Sequence, residues 1–555
     1  MNFLGWIKKY RLPLILLCLG FLFVFIYSWL YLSVNPLFSS PDEAVNYYYT
    51  KLFSETGSLQ HYEPLNTAAD NTITPRNAMA INGNIVPASF LGLILIFGSI
   101  AKVFGSNIII YLTPFFSVLG VLFFYLLLKK IFSNKISFIS SLFLFILPPF
   151  WYYNSRGMFH NVLFIDLLII GFYFFLNFIS NQNKKIVNYL NAILAGIFLG
   201  LALITRTSEI FWVGVIIISL LIINRRKINW GQVLLFFVSA VIVFSPILYF
   251  NHQLYGSISN FGYAETLLNE NSSAGGSSSV VYSFIKLVFP FGLNFSSSLT
   301  TFNNYFIQLL PWLVVLLFIS VFWVIKNLLL PKFIKYFPEL SEYTKKLPST
   351  VKNYFYVWVW LSVWLLFYYG SFSFNEYIDA NKIILGSSYL RYWLPILIFA
   401  LPLIIMIIER LMQMIRKKII VKTFTALIIC SMVIFSINLV LMDSLQGLFA
   451  IKKSMVEAES HRKIILQQTP ANSVIISGFA DKIIFPERPV IVHLPTDMNQ
   501  QKKIVDDLSK LTAVYLFYNV LDQKSVDELK TLKSNNYEVI EKYNFQDGEI
   551  LYQIL

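Results

Sequence analysis

The 555-residue chain is 57% hydrophobic and only 13% charged, too apolar for a soluble globular protein of this length, so its main solvent must be lipid. Its formal charge of +14 is gathered in short basic segments between apolar runs, a membrane-topology signal rather than a nucleic-acid-binding surface. Both cysteines, Cys18 and Cys430, lie inside apolar runs, so neither a disulfide framework nor a thiolate metal site can be read from them.

In chain order, spans are predicted over 12–34, 108–128, 136–153, 158–179, 186–204, 209–223, 230–250, 303–329, 353–370, 389–408 and 423–443. Each is about long enough to cross roughly 30 Å of hydrocarbon as a helix. The fold class is thus a polytopic α-helical membrane protein of about eleven spans, with residues 1–443 as the membrane domain. The first run is too long for a signal-peptide core and lacks a small-x-small cleavage site, so it is expected to remain as an anchor.

The basic clusters test this set of spans, because lysine and arginine favour cytoplasmic loops. They are Lys8, Lys9 and Arg11; Lys129, Lys130 and Lys135; Lys184 and Lys185; Arg225, Arg226 and Lys227; the stretch 326–352; and Arg410, Arg416, Lys417, Lys418 and Lys422. All fall inside if the run 85–104 does not span. That run carries Pro87, Gly92, Gly98 and Lys102 and reads as an interfacial or re-entrant helix. The N-terminus is then inside a multi-pass plasma (cytoplasmic) membrane. Loops 35–107, 251–302 and 371–388 and the segment 444–555 are outside.

Residues 444–555 change character. A polar helix over Ser454–Gln468 precedes β-rich runs at Ser473–Ser477, Pro489–Leu494, Ala513–Tyr518, Tyr537–Tyr543 and Glu549–Ile554. Amphipathic helices at Met498–Lys510 and Val526–Asn535 complete a small extracytoplasmic α/β domain. It has no nucleotide-binding glycine fingerprint.

The first external loop opens Ser39-Ser40-Pro41-Asp42-Glu43. These residues suit a helix start through capping and the macrodipole. Equally, a carboxylate at the bilayer surface suits a general base facing a membrane-borne substrate.

Pro41-Asp42-Glu43 with Tyr48 and Glu55-Thr56-Gly57 resembles the first-loop signature of the GT-C glycosyltransferases, in the branch of protein O-mannosyltransferases and lipid A aminoarabinose transferases. Asn82-Gly83-Asn84-Ile85-Val86-Pro87 is similar to that family's proline stretch. Asn251-His252-Gln253-Leu254-Tyr255-Gly256-Ser257 with Gly262-Tyr263 resembles one of its loops, and Tyr389-Leu390-Arg391-Tyr392-Trp393-Leu394-Pro395 its late Arg-Tyr-x-Leu-Pro motif.

The resemblance implies an inverting glycosyltransferase that moves a hexosyl or pentosyl group from a polyprenyl-phosphate sugar to an acceptor hydroxyl on a protein, glycolipid or cell-surface glycan. Its partners would be the lipid-linked donor, the acceptor and the bilayer, with no nucleic acid. Asp42 is then the candidate base and Glu43 an orienting or acceptor-binding partner. Arg391, with Tyr389 and Tyr392, would bind the donor phosphate, since an arginine fork donates in pairs; an interfacial anchor is the other reading of Arg391.

Arg156 belongs to the same phosphate set, and His160, Asn161, Asn251 and Tyr263 are candidate sugar or acceptor contacts. His160-Asn161 stands where relatives carry an acid, so no divalent metal or other cofactor is expected. His160 has a packing role as its alternative. Arg206 before Glu209 reads as a weaker candidate or a local ion pair. Asp166, inside a span, reads as a structural hydrogen bond to a neighbouring helix or a group shaping the site. The family's lysine is missing, and Arg76 or Lys102 could substitute. The Ser/Gly-rich 269–280 reads as a flap or a connector. The rival function is a transporter or lipid flippase, which would place its polar residues near the midplane.

Overall fold

The computed structural model describes residues 3–32, 37–180, 185–260, 262, 289, 291–333, 347–374, 382–415, 418–520, 522–545 and 548–555. Tyr263 and the 269–280 segment lie outside them.

Helices α1 (Phe3–Ser28), α4 (Ile109–Leu128), α7 (His160–Ser180), α8 (Lys185–Thr205), α9 (Ile210–Asn224) and α10 (Trp230–Tyr255) follow six of the predicted spans. So do α12 (Pro311–Phe333), α13 (Ser349–Gly370), α15 (Leu394–Met414) and α16 (Lys418–Ile437). Among the described residues nine helices are long and apolar enough to cross a membrane. The 136–153 run instead forms α5 (Asn134–Ile146) and α6 (Pro148–Arg156), bent by 52°. The cause is local: Leu147, before Pro148-Pro149, is extended at ψ 119°, as proline requires of its predecessor. Helix α13 has span length, but its tryptophans and tyrosines keep it outside the nine.

The 85–104 run divides. Asn84–Pro87 is strand β3, and α3 (Gly92–Phe104) has 13 residues, about 20 Å of helix and too short to cross. Gly92 seats α3 on the end of α8, where a Cβ would meet the Ile204 carbonyl at 2.3 Å.

Helix α7 is the centre of the bundle, buried almost throughout between α4 and α8. Asp166 on α7 is fully buried beside Gly120 of α4, where any Cβ would stand 2.2 Å from its carboxylate. The hydrogen bond expected for Asp166 is not made: neither oxygen has a partner among the described residues. Outer faces expose Phe21, Phe25, Ile222, Leu234, Val241 and Phe322, an apolar belt suited to lipid.

Above one end of the bundle, β1 (His61–Tyr62), β2 (Ala78–Ile81) and β3 form an antiparallel sheet in the order β1-β3-β2. The tail follows its predicted pattern: helix α17 (Leu448–Gln468), then strands β4 (Val474–Ile476), β5 (Val490–Ile491), β6 (Val514–Asn519), β7 (Val539–Asn544) and β8 (Glu549–Ile554). They form one mixed sheet, β5-β4-β6-β8-β7, parallel across β5-β4-β6 and antiparallel beyond. Helices α18 (Asp481–Ile484), α19 (Met498–Ser509) and α20 (Gln523–Ser534) intervene.

The tail core is shared with the first loop. Ala69 and Ile73 pack among Val474, Ile491 and Leu516, and Thr74 bridges to Ile491. A boundary at 443/444 therefore leaves residues of this one core on both sides.

Candidate active site

Helix α2 (Pro41–Thr56) starts as its sequence dictates, with Pro41 in the first turn and a capping box between Ser40 and Glu43. It ends at Gly57, which is left-handed at φ +74°. The capping box turns Glu43 inward and leaves Asp42 toward the late-span motif.

Arg391, in the short helix α14 (Ser388–Tyr392), donates from Nη1 to Asp42 Oδ2 at 2.9 Å and from Nη2 to Ser388 Oγ at 2.6 Å. Asn77 Nδ2 donates to the other oxygen, Asp42 Oδ1, at 2.5 Å. Asn77 adopts φ +62°, a conformation asparagine tolerates better than most residues.

The preceding Arg76 is clamped by the tail. Its Nη2 lies 2.6 Å from Asp481 Oδ1, its Nε 3.1 Å from each carboxylate oxygen, and its backbone N–H 2.8 Å from Oδ2. A line of contacts thus runs from the tail through Arg76 and Asn77 to Asp42. Of the two residues that could substitute for the family's lysine, Arg76 is engaged in this clamp, and Lys102 is exposed near the end of α3.

Two further ion pairs lie beneath. Glu43 pairs with Arg156, which also donates to Ser39 Oγ at 3.1 Å and Tyr152 Oη at 3.1 Å. Tyr31 donates to Glu43 Oε1 at 3.3 Å. Burial pushes the Glu43 carboxyl above its ordinary range, and Arg156 is the main opposing influence. Arg206 Nε pairs with Glu209 Oε1 at 2.9 Å, and its Nη2 donates to Tyr369 Oη at 2.6 Å.

Aromatic rings tie the three arginines together. Phe159 receives the guanidinium groups of Arg156 and Arg391 at 5.2 and 4.6 Å from its centroid. Tyr392 receives Arg391 and Arg206 at 5.3 and 4.8 Å. Such contacts stabilise by about 0.5–2 kcal/mol each, depending on desolvation.

Burial separates the pairs. Side-chain exposure is 1% for Glu43 and 5% for Arg156, and 7% for Arg206 and 6% for Glu209. It is 26% for Asp42 and 12% for Arg391, so this pair is the one an arriving molecule can touch.

Several expected contacts are occupied by the protein itself. Glu43 and Arg156 are sealed against each other, which leaves neither an open face for an acceptor or a phosphate. Tyr389 donates to the Phe372 carbonyl at 2.6 Å and is buried. His160 Nε2 lies 2.7 Å from the Phe90 carbonyl and so carries the proton. Its Nδ1 then accepts from Asn46 Nδ2 at 3.4 Å. His160 thereby fixes Phe90, whose ring faces Arg206 at 5.7 Å.

Asn161 Nδ2 reaches the Arg391 carbonyl at 3.5 Å. Asn251 closes its own loop on the Ile258 carbonyl at 3.4 Å. Among the described residues no group of three His, Cys, Asp or Glu side chains is placed to hold a metal ion. Sequence reasoning missed Asn77, for which no motif gives a signal, and underweighted Arg206, whose Glu209 pairing it did expect.

A family profile described as dolichyl-phosphate-mannose-protein mannosyltransferase matches residues 91–250. No sequence relative is found among curated proteins. The chain superposes on ArnT from Cupriavidus metallidurans bound to undecaprenyl phosphate with a TM-score of 0.55 and 10% identity, covering 100% of this chain and 98% of that one. For the archaeal oligosaccharyltransferase AglB from Archaeoglobus fulgidus, in complex with an inhibitory peptide and a dolichol-phosphate, the values are 0.53, 11%, 99% and 74%.

The bundle, the first loop and the tail therefore share the fold of these two solved proteins, the fold that the motif resemblance implies. Asp42, Asn77 and Arg391 lie outside the matched 91–250 segment, so their roles rest on geometry.

Proposed function

We propose that the protein is an inverting glycosyltransferase that moves a sugar from a polyprenyl-phosphate donor to an acceptor hydroxyl at the external membrane face. The observation that carries this reading is the accessible Asp42–Arg391 pair, the least buried of three ion pairs linked through shared rings.

Asp42 acts as general base. Its carboxylate takes the acceptor hydroxyl proton as the oxygen attacks the anomeric carbon, while the bond from that carbon to the phosphate oxygen breaks on the opposite face. One displacement inverts the anomeric configuration. Arg391 releases Asp42 to the acceptor and turns its fork to the departing phosphate. Arg206, on the other side of Tyr392, is held by Glu209 and Tyr369 and keeps that ring in place beside Arg391. Asn77 keeps Asp42 aimed, and Glu43 and Arg156 hold the loop in register. In this scheme Arg391 supplies the charge stabilisation of the departing phosphate.

Support for a lipid-phosphate donor comes from the dolichol-phosphate and undecaprenyl phosphate held by the two solved proteins of this fold. The buried charged groups of the bundle cluster at one end, with Asp166 the exception, which favours a transferase over a transporter with a midplane site. The distribution of basic clusters supports reading that end as the external one.

The test is sugar transfer from polyprenyl-phosphate donors by purified protein in nanodiscs. Asp42→Asn keeps size and capping ability but removes the base, and turnover should fall by about two to four orders of magnitude. Near wild-type transfer by a folded Asp42→Asn variant would return Asp42 to the role of helix cap.

A further inference from the structure

At the other end of the bundle the helices surround a cavity of about 620 Å³. Helix α7 carries His160 at the site and Ser180 at the cavity rim, about 30 Å apart at 1.5 Å per residue. The wall is apolar, built mainly from Phe172, Trp212, Ile216, Trp358, Leu361 and Phe399. Polar residues gather at the mouth: Lys129 and Lys130 just beyond α4, Asn224 at the end of α9, and Thr350 and Asn353 in the first turns of α13.

We propose that this cavity holds an acyl chain of an anionic phospholipid whose phosphate is met by Lys129 and Lys130. An apolar lumen of this size does not hold water well and loses packing contacts on every wall atom while empty. An acyl chain restores those contacts.

The rim decides the headgroup. Lys129 and Lys130 both line the cavity, and their Nζ atoms lie 5.4 Å from the centroid of Tyr125 and 5.6 Å from that of Tyr173. A lysine meets phosphate as a point charge, and Asn353 brings an amide to the same mouth. The same end carries the chain's basic clusters, which favour an anionic leaflet. A polyprenyl phosphate seated here would hold its phosphate a full span from Asp42, where it could not react.

The experiment uses the full chain in phosphatidylcholine nanodiscs titrated with phosphatidylglycerol brominated on its acyl chains. Bromine quenches tryptophan on contact, and Trp212 and Trp358 are in the wall. The signal from the cavity is the quenching lost in a Trp212→Phe/Trp358→Phe variant. We expect that component to be quenched at a roughly tenfold lower mole fraction of brominated phosphatidylglycerol than of brominated phosphatidylcholine, a preference within what two lysines supply. Lys129→Gln/Lys130→Gln, at exposed positions, should bring the two lipids to parity.

Equal quenching by both headgroups in the unaltered protein would overturn the proposal. So would relief of quenching by polyprenyl phosphate at lower mole fraction than by unlabelled phosphatidylglycerol, which would make this a prenyl-lipid site. The assay reads no sugar transfer, so its outcome is independent of the proposed activity.

Discussion

The guanidinium of Arg391 bonds the carboxylate of Asp42 at 2.9 Å across 349 residues of chain, joining the late-span motif to the first loop. Its second amino group is occupied by Ser388, so the fork has two defined directions. Arg391→Lys keeps one charge and loses one of them. Donor use, read as kcat/KM for the lipid-linked sugar, should fall by roughly 10- to 100-fold, the equivalent of about 1.4–2.7 kcal/mol. Unchanged kinetics in both Arg391→Lys and Arg391→Ala would leave Arg391 as an interfacial anchor.

Asn77 can be separated from its backbone. Because it sits at φ +62°, glycine accepts the same conformation at little steric cost. Asn77→Gly therefore deletes the hydrogen bond to Asp42 and little else. Turnover should drop by about 10- to 150-fold, as expected for one hydrogen bond to a charged group, with thermal stability within about 1 kcal/mol. A loss of stability with full turnover in the folded fraction would show that Asn77 shapes the loop but does not aim the base.

Much of this architecture is legible in local sequence, and the exceptions share a cause. Most span positions and the five tail strands follow from periodicity and breakers, which act over a few residues, whereas the 136–153 run bends before Pro148 and the 85–104 run divides into β3 and α3. Arg206 with Glu209 is likewise readable, being three residues apart. Asp42 with Arg391, Glu43 with Arg156 and Arg76 with Asp481 are not, because partners 349, 113 and 405 residues apart meet only through packing. The domain division misleads for the same reason: Ala69 and Ile73 enter a core whose strands begin at Val474. Arg156 looked like a phosphate ligand because its type and position suited one, while its burial against Glu43 leaves no trace in the linear pattern.

That burial has a measurable consequence. Glu43→Gln keeps the size of the side chain but leaves the Arg156 charge uncompensated at 5% exposure. The folded state should lose about 3–5 kcal/mol, and Glu43→Leu/Arg156→Met should recover most of it. Thermal unfolding in detergent reads both. A stable Glu43→Gln variant with impaired acceptor saturation would instead give Glu43 a direct role in binding.

Lys482 supplies a pH test of the contact between tail and loop. Its Nζ donates to the Ser39 carbonyl at 2.7 Å, and Ser39 precedes the α2 capping box. Burial, followed by the nearby Arg76, lowers its pKa to about 8 from an ordinary 10.5. Between these values the unfolded chain binds more protons than the folded one, so stability rises with pH across that window. Below about pH 8 the ammonium is charged in both states and its desolvation cost is felt in full; above about 10.5 that cost is gone. Lys482→Met removes the titration together with the hydrogen bond. The stability of the unaltered protein relative to this variant should therefore grow by on the order of 1–2 kcal/mol from pH 7.5 to 10, allowing for screening of a half-buried group. Comparing unfolding of the two proteins across that range cancels every other titrating group. A difference that stays flat with pH would mean that Lys482 is charged and well solvated in the folded state, and that the Ser39 contact does not anchor the tail to the loop carrying Asp42.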